Sequence, residues 1–272
     1  MEREKWALVL LAFLAAAWIF LCAGGLYFPW ALSWGQAAVS TEAARDASDF
    51  SMEVISVSVP RKRQYRVFIY HTHTYEAYEQ EKDDPYTPTE TWRTADNEHN
   101  VVRVGQTLSE LLQNAGIYVT HDTTAYELPR LSSAYARSLE GLKAAAETGY
   151  DLYIDLHRDS YSSGNGPNTV QADGREVARF LFLIGQGTGS ALDEKPDWES
   201  NQRAAQVLCD ALNDQAEGLC RGVSLKSGRY NQQAASPSML IEVGNNRNTL
   251  AEALAAAEPL AHAICRYFDS LE

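Results

Sequence analysis

RVFIYHTHTYEAYEQEKDD, residues 66–84, begins as an apolar run and continues with two histidines and a glutamate. The run Val67–Tyr70 has the composition of a buried strand, and His71 and His73 follow it directly. Glu76 lies three residues beyond the second histidine. Histidine is the commonest metal ligand, and its ordinary pKa lies near neutrality. A polar turn at a strand end is the simpler explanation of these residues alone, so the rest of the chain must decide between the two.

Strand and helix patterns alternate along the rest of the chain. Residues 97–114 carry valines and leucines at helical spacing and end just before Gly116. Further strands are predicted at IYVTHD, YDLYIDLH, VARFLFLIG and SMLIEVG, and further helices at residues 131–147, 198–215 and 249–268. Several of these strands are apolar throughout, which is typical of a sheet with helices on both faces. We therefore expect an α/β fold, a three-layer αβα sandwich with a mainly parallel central sheet. The stretches 78–96 and 160–176 have no regular period and are predicted to be loops over the rim of the site.

Three of the predicted strands end in a side chain that can bind a metal or carry a proton. His73 follows the first strand, His157 follows the predicted strand Asp151–Leu156, and Glu242 follows the run Met239–Ile241. In open α/β sheets, ligands bind at the carboxyl ends of the strands. We therefore expect these three residues to lie at one edge of the sheet and to form a single site.

The types of ligand and their spacing match a catalytic zinc site. If a turn of helix begins after His73, residues three apart share a face, so Glu76 can reach the same ion. With the distant His157 the set becomes two imidazoles and one carboxylate, which leaves a fourth position for water. We predict one zinc ion per chain, bound by His73, Glu76 and His157, that lowers the pKa of its water toward about 7.

The residues around the predicted ligands suggest catalytic roles. Glu242 emerges from an apolar strand, where burial would keep its pKa high enough for it to act as the general base. Asp155 lies two residues before His157 on the same strand, so it faces the same side and can orient the imidazole. Arg158 is predicted to stabilise the oxyanion or to hold a carboxylate of the substrate, from its position alone.

Each of these residues also has a structural interpretation. Glu242 can pair with an arginine such as Arg229 or Arg247, because a buried carboxylate needs a partner. His157 can be a hydrogen-bonded core histidine. The remaining histidines are expected to have no metal role: His71, His99, His121 and His262. A serine hydrolase is disfavoured because the sequence contains no G-x-S-x-G motif.

The N-terminal segment is predicted to be a membrane anchor. Residues 6–41 contain no charged side chain, and Trp6–Leu26 supplies the roughly 20 apolar residues that a spanning helix needs. Arg3 and Lys5 precede this run, which places the N-terminus in the cytoplasm and the following domain outside. A cleaved signal peptide is the competing interpretation, although the apolar run is long for one. The predicted organisation is a cytoplasmic stub at 1–5, a transmembrane anchor at 6–26, a tether at 27–53 and an extracytoplasmic domain at 54–272.

Charge and cysteine content limit the classes of function. The formal charge of −13 argues against nucleic acid as a partner, because nucleic-acid binding requires clustered basic residues. Cys22 lies in the predicted anchor, which leaves Cys209, Cys220 and Cys265 in the predicted domain. Three is an odd number, and no C-x-x-C occurs, so neither a disulfide scaffold nor a cysteine zinc site is indicated. One disulfide among the three and burial of all three both stay open.

Five blocks of the sequence resemble the successive motifs of the stage II sporulation protein P family. The blocks are IYHTHTYEAY, NVVRVGQTLSELLQNAGIYVTHD, YIDLHRDS, RYNQ and LIEVGNNRNTLAEA, in the family's order, and the resemblance runs from about Val54 to the C-terminus. It implies a membrane-anchored zinc hydrolase of the cell wall with an amidase/exopeptidase-like fold. The implied activity is that of an N-acetylmuramoyl-L-alanine amidase, which cuts between muramic acid and the L-alanine of the stem peptide. Additional endopeptidase activity is also implied.

The resemblance carries over to individual residues. His73 and His157 match the family's metal histidines, and Glu242 matches its catalytic glutamate. In related cell-wall amidases the carboxylate ligand opens the first long helix, which would correspond to Asp96 or Glu98. Zinc carboxypeptidases share the H-x-x-E order, which corresponds to Glu76, and we prefer that residue because it is only one turn away. Two departures from the family pattern, Gln233 and Asn245, concern the substrate rim.

The resemblance also implies partners and a location. In the family's setting the partners are peptidoglycan, a lytic transglycosylase (stage II sporulation protein D) and a membrane scaffold (stage II sporulation protein M). The chain would be a single-pass protein of the cell membrane that acts in septal wall remodelling during sporulation. Two alternatives stay open: a zinc carboxypeptidase or endopeptidase acting on stem peptides, and a catalytically inactive wall-binding module.

Overall fold

A computed structural model describes residues 63–189 and 194–272, and its elements follow the predicted alternation of strands and helices. The strands are β1 (Arg66–Tyr70), β2 (Tyr118–His121), β3 (Leu152–Asp159), β4 (Thr169–Ala172), β5 (Arg175–Ala178), β6 (Phe180–Gly185), β7 (Cys220–Lys226) and β8 (Ser238–Asn245). The α-helices are α1 (Val101–Asn114), α2 (Ala134–Thr148), α3 (Trp198–Gln215), α4 (Leu250–Ala255) and α5 (Ala257–Asp269).

The predicted stub, anchor and tether lie outside the described residues. None of the helices within residues 63–189 and 194–272 has the length and apolar character needed to cross a membrane. The anchor at 6–26 therefore stays a prediction from the sequence.

Six strands form one sheet in the order β2-β1-β3-β8-β6-β7. The pairs β1–β2, β1–β3, β3–β8 and β6–β7 are parallel, whereas β6 runs antiparallel to β8. A mixed α/β fold with a mainly parallel central sheet is thus confirmed. The adjacent strands β1, β3 and β8 all run in the same direction, so their carboxyl ends meet at one edge of the sheet.

The apolar run of strand β1 is explained by burial on both faces of the sheet. Successive side chains of a strand point to opposite faces, and here both faces are covered. Val67 and Ile69 belong to the large core that includes residues of α1, α3 and α5. Phe68 and Tyr70 belong to a smaller core on the other face, together with Leu142 of α2 and other residues. The alternation within one strand therefore accounts for a helical layer on each side of the sheet.

Two predicted elements differ in the structure because of short turns. The segment VARFLFLIG is divided between β5 and β6, and β5 pairs with β4 in an antiparallel hairpin where a loop was predicted. The hairpin turn contains Asp173 and Gly174, at φ 49° and 74°. Asp-Gly is favoured at such two-residue turns because both positions require positive φ.

The predicted C-terminal helix at 249–268 is divided in two. Helix α4 ends at Ala255 and α5 begins at Ala257. Pro259 has no backbone N–H to bond to the carbonyl of residue 255, so a continuous helical ladder is interrupted at this point. The first helix also begins later than predicted, at Val101, because the Asn100 side chain accepts a hydrogen bond from the Val102 N–H at 2.9 Å and caps it.

The cysteines form one disulfide in the described part of the chain. Cys209 of α3 is bonded to Cys220 at the start of β7. Cys265 lies in the core and takes no part in this bond. Strand β7 had no clear prediction, since its side chains are mostly only half-buried and give little apolar pattern.

Candidate active site

The ends of β1, β3 and β8 bring the predicted site residues together. His157 of β3 lies directly opposite Glu242 of β8 in the parallel register. His73 follows β1, the neighbour of β3 on its other side, and the ring centroids of His73 and His157 are 5.4 Å apart. Residues that are 84 positions apart in sequence thus meet at one edge of the sheet.

Glu76 lies between the two histidines in the way the His-x-x-Glu spacing predicts. A turn after β1, closed by a 3.3 Å bond from the Glu76 N–H to the His73 carbonyl, brings the carboxylate back over the strand ends. Its Oε2 lies 3.2 Å from Nδ1 of His157 and accepts a hydrogen bond from the Arg158 backbone N–H at 3.1 Å. The structure therefore places Glu76, rather than a residue of the first helix, beside His157.

The two other candidates for the carboxylate ligand have different partners. Asp96 lies 2.8 Å from Nδ1 of His99, and Glu98 forms an exposed ion pair with Arg103 at 3.6 Å. Helix α1 begins only at Val101, so neither residue opens it.

Asp155 holds the orientation of the His157 ring through the nitrogen opposite Glu76. Its Oδ1 is 2.8 Å from Nε2 of His157, and it also accepts hydrogen bonds from the Thr72 N–H at 2.8 Å and the Thr72 hydroxyl at 2.7 Å. An ionised carboxylate can only accept, so Nε2 carries the proton. The raised pKa of His157 means that Nδ1 is protonated as well in the metal-free site and donates to Glu76. Loss of that proton would leave the Nδ1 lone pair for a metal while Nε2–H stays bonded to Asp155, the arrangement in which a carboxylate supports a metal-binding histidine.

One pair of side chains has the spacing of two ligands of a tetrahedral ion such as zinc. Two ligand atoms at zinc-binding distances lie about 3.4 Å from each other in a tetrahedron, close to the 3.2 Å between Nδ1 of His157 and Oε2 of Glu76. Nδ1 of His73 and Oε2 of Glu242 are buried without a hydrogen-bond partner among the described residues. No three His, Cys, Asp or Glu side chains in that part of the chain have the spacing of a complete shell. Of the three predicted ligands, Glu76 and His157 contact each other directly, whereas the His73 ring lies 5.4 Å from that of His157 between ring centroids.

Burial and charge set the protonation of these groups in opposite directions. Burial raises the pKa of Glu242 to about 8, and the nearby charge of His157 only partly opposes this. Burial alone would also raise the pKa of Glu76, but His157 outweighs it and lowers that pKa to about 2. Burial would lower the pKa of His157, yet the carboxylates of Asp155 and Glu76 raise it well above its ordinary value. Two nearby carboxyl groups with separated pKa values suit one for binding a cation and the other for proton transfer.

Glu127 is a buried residue of the site that the sequence did not reveal. It is 4% exposed, accepts a hydrogen bond from the Tyr75 N–H at 3.1 Å, and is paired with Arg93. Its Oε1 lies 3.8 Å from Nδ1 of His73. The loop after β2 carries it to the sheet edge where β1 ends. The pairing of β2 with β1 could have indicated that the loop after β2 lies near the site. A single acidic residue in an irregular segment, however, has no sequence pattern that identifies it.

Arg158 is held by backbone carbonyl groups. Its guanidinium donates to the carbonyl oxygens of Ala77 at 3.0 Å, Trp92 at 3.0 Å and Asp159 at 3.4 Å. The side chain therefore clamps the 77–92 segment to the end of β3. No carboxylate among the described residues forms an ion pair with it, so its positive charge stays available beside the site.

The other histidines occupy separate environments. Nε2 of His71 lies 2.8 Å from Nε2 of His121, and Nδ1 of His71 lies 2.7 Å from the Leu156 carbonyl oxygen. Burial lowers the pKa of His71 to about 3 and that of His121 to about 4. His99 lies between Asp96 and Asp84. His262 is half-buried on α5.

Comparison with known proteins agrees with the resemblance seen in the motifs. The sequence model of the family described as stage II sporulation protein P matches residues 36–265. Stage II sporulation protein P of Bacillus subtilis (strain 168) is 28% identical over 208 residues, which are 72% of this chain and 49% of that protein. The chain thus spans about half the length of this relative.

Solved structures show a similar fold. The CwlD amidase from Clostridioides difficile, in complex with the GerS lipoprotein, is similar with a TM-score of 0.50 at 13% identity. The alignment covers 76% of this chain and 100% of that one. An N-acetylmuramoyl-L-alanine amidase from Clostridium difficile 630 aligns with a TM-score of 0.46 at 15% identity, over 77% of this chain and 99% of that one. At such low identity the likeness concerns the fold alone.

Proposed function

Because the chain belongs to the stage II sporulation protein P family, we propose that it is a peptidoglycan hydrolase that acts during sporulation. More specifically, we propose a zinc-dependent N-acetylmuramoyl-L-alanine amidase that cuts the amide between muramic acid and the first stem residue. The observation that supports this best is the meeting of Glu76, His157 and Glu242 at the ends of adjacent strands, with His73 beside them.

We infer the following roles for the residues of the site. His73, Glu76 and His157 would hold one zinc ion, which would polarise the scissile carbonyl and acidify a water. Glu242 accepts the proton of the attacking water and passes it to the leaving amine; burial raises its pKa above that of an ordinary carboxyl group, which favours the return of the proton. Asp155 accepts a hydrogen bond from Nε2–H of His157 and so would keep Nδ1 turned toward the ion.

Arg158 has a positioning role in this proposal. Its side chain holds the 77–92 segment, and its backbone N–H fixes one oxygen of Glu76. Stabilisation of the oxyanion by the guanidinium stays a prediction from its position. Its carbonyl partners are neutral, so the residue keeps its full charge at the rim.

Metal content combined with product analysis tests the proposal. We expect purified protein to hold one zinc per chain after mild dialysis, and to release stem peptides that begin with a free L-alanine from purified sacculi. Mass spectrometry would identify glycan fragments with free lactyl groups. Fragments cut only within or between stem peptides would contradict the amidase assignment, and zinc-loaded protein that leaves sacculi intact would contradict hydrolysis altogether.

A stem-peptide carboxypeptidase or endopeptidase is the second candidate. It is favoured by the contact between Glu76 and His157, because the His-x-x-Glu arrangement is also that of zinc carboxypeptidases. The same product analysis separates the two, since only the amidase frees the lactyl group.

The setting of the enzyme is also a proposal. We propose a single-pass anchor at 6–26 and a tether at 27–53 that hold the domain at 54–272 outside the cell membrane. Stage II sporulation proteins D and M are partners by family resemblance only.

A further inference from the structure

A cleft beside the candidate active site has two arginines in its walls. It encloses about 440 Å³ and is lined mainly by Trp92, Arg158, Ser160, Tyr161, Asn246 and Arg247. These residues come from the 77–92 segment, the end of β3 and the turn after β8. No aspartate or glutamate lines the cleft, although acidic residues outnumber basic ones in the chain by 36 to 23.

Arg247 is a cation without an acidic partner. It is exposed, and its guanidinium lies 4.8 Å from the centre of the Tyr161 ring. Among the described residues its side chain forms no ion pair or hydrogen bond, in contrast to surface arginines such as Arg175 and Arg266, which pair with carboxylates. An aromatic ring beneath a guanidinium restricts it and leaves its N–H groups directed outward. The guanidinium of Arg247 is therefore preorganised to bind an anion.

Hydrogen bonds join the walls of the cleft to one another. The Tyr161 N–H donates to the Asn246 side chain at 2.7 Å, and the Asn246 N–H donates to the Asp159 carbonyl at 3.1 Å. Opposite them, Trp92 has a positive φ of 53° and its carbonyl accepts from both Arg158 and Ala77. A large residue in this backbone region is unusual and persists only where its surroundings hold it. The two guanidinium groups are thus presented by a built site.

The cleft adjoins the residues of the proposed reaction. Arg158 supplies one wall, while its backbone N–H is bonded to Glu76 at 3.1 Å. A substrate group in the cleft would therefore lie next to the amide that is cut. Arginine binds carboxylates through paired, charge-assisted hydrogen bonds, which neutral amides cannot replace.

We infer that this cleft binds a free carboxylate of the stem peptide, with Arg247 as the residue that determines specificity for the charged over the amidated form. The inference depends on the proposed function for its substrate, a muropeptide. It does not depend on which bond is cut, because the cleft would bind a carboxylate of the peptide and takes no part in bond cleavage.

Two matched ligands test the inference. One is a stem peptide whose side carboxylates are free, and the other is the same peptide with those carboxylates amidated. We expect the wild-type protein, loaded with its metal, to bind the free acid about tenfold more tightly by calorimetry. Arg247→Ala should remove most of this preference, and Arg247→Lys should retain part of it. Arg266→Ala, which removes one positive charge from the distant helix α5, should leave the preference unchanged.

The outcomes separate this inference from the proposed function. Equal affinity of the wild type for both peptides, or an unchanged preference in Arg247→Ala, would overturn the carboxylate subsite. Hydrolysis of sacculi is measured separately with the same variants. If the wild type prefers the free acid but cuts nothing, the subsite stands and the amidase assignment falls. If the amidase reaction is found but the preference is absent, only the subsite is rejected.

Discussion

At the scale of single residues, the site depends on side chains whose charge is set by burial. Glu242 is 8% exposed, and one of its carboxylate oxygens has no hydrogen-bond partner among the described residues. Burial without a partner disfavours the charged form, which explains its high pKa. Glu76 is half-buried and lies against His157, which lowers its pKa and keeps it ionised. Two chemically similar residues thus differ in protonation because of their neighbours.

Replacement of Glu242 tests its role as the general base. Glu242→Gln keeps the shape of the side chain but cannot accept a proton, so we expect the hydrolysis rate on sacculi to fall by about 10² to 10⁴. Zinc content should stay at the wild-type level, because Glu242 is not among the proposed ligands. Rates and metal content are measured on the same preparations. Undiminished release of stem peptides by the variant would remove Glu242 from the mechanism.

Replacement of Asp155 tests the orientation of His157. Asp155→Asn loses the charged acceptor of the Nε2 proton, so we expect zinc affinity to fall about 10- to 100-fold. The dissociation constant is measured by competition with a chelator. Asp214→Asn is the control, because Asp214 is an exposed carboxylate on α3. Equal zinc affinity in both variants would show that Asp155 has only a structural role.

At the scale of elements, the strands position the candidate site residues, and the helices pack against both faces of the sheet. Each of β1, β3 and β8 contains a buried, mainly apolar run that leads to a candidate site residue. This pattern was readable because a buried parallel strand needs an unbroken apolar run. The hairpin of β4 and β5 was not expected, since its stability depends on an Asp-Gly turn within a polar segment. Strand β7 lies at the sheet edge and is fastened to α3 by a disulfide rather than by apolar contacts alone.

The disulfide should contribute measurably to stability. Cys209 and Cys220 are 11 positions apart, and closing a loop of this size lowers the entropy of the unfolded chain by an equivalent of about 3 kcal/mol. We expect the Cys209→Ser/Cys220→Ser double variant to lose about that much unfolding free energy in urea. Cys265→Ser serves as a comparison for loss of a thiol without loss of the bond. An unchanged urea midpoint in the double variant would show that the bond does not constrain the unfolded state.

At the scale of the whole molecule, the candidate active site places ionisable groups where burial opposes their charge. Most of the buried residues are apolar, but the edge where β1, β3 and β8 end buries several ionisable groups close together. Such a group weakens the fold when it must be charged without a partner. Glu242 is the residue where this conflict should be measurable.

The pH dependence of unfolding tests this conflict. The folded pKa of Glu242 is about 8 against an ordinary value of 4.5, so the folded state holds this proton more tightly than the unfolded state does. Its contribution to stability is therefore fully present below pH 4.5 and is lost as the pH rises toward 8 and beyond. In metal-free protein, we expect the unfolding free energy of Glu242→Gln to rise relative to wild type between pH 5 and 8. A difference that stays constant over this range would mean that the carboxyl group is not desolvated.

The sequence by itself determined the class of fold and the candidate residues near the strand ends. Local apolar runs mark the strands, and the polar residue that follows each run marks the side chains near its carboxyl end, so His73, His157 and Glu242 were identifiable as candidates for one sheet edge. Strands β3 and β8 continue beyond these runs, to Asp159 and Asn245. The His-x-x-Glu spacing identified Glu76 for the same reason, since it concerns a single turn of chain.

Only the tertiary structure decided what depends on contacts between distant segments. It placed β8 beside β3, so that Glu242 faces His157, and it gave Asp96 and Glu98 other partners. It also revealed Glu127 and the cleft of Arg247, which belong to loops without any period. Periodicity is a property of neighbouring residues along the chain, whereas strand order and loop conformation follow from packing between residues far apart in sequence.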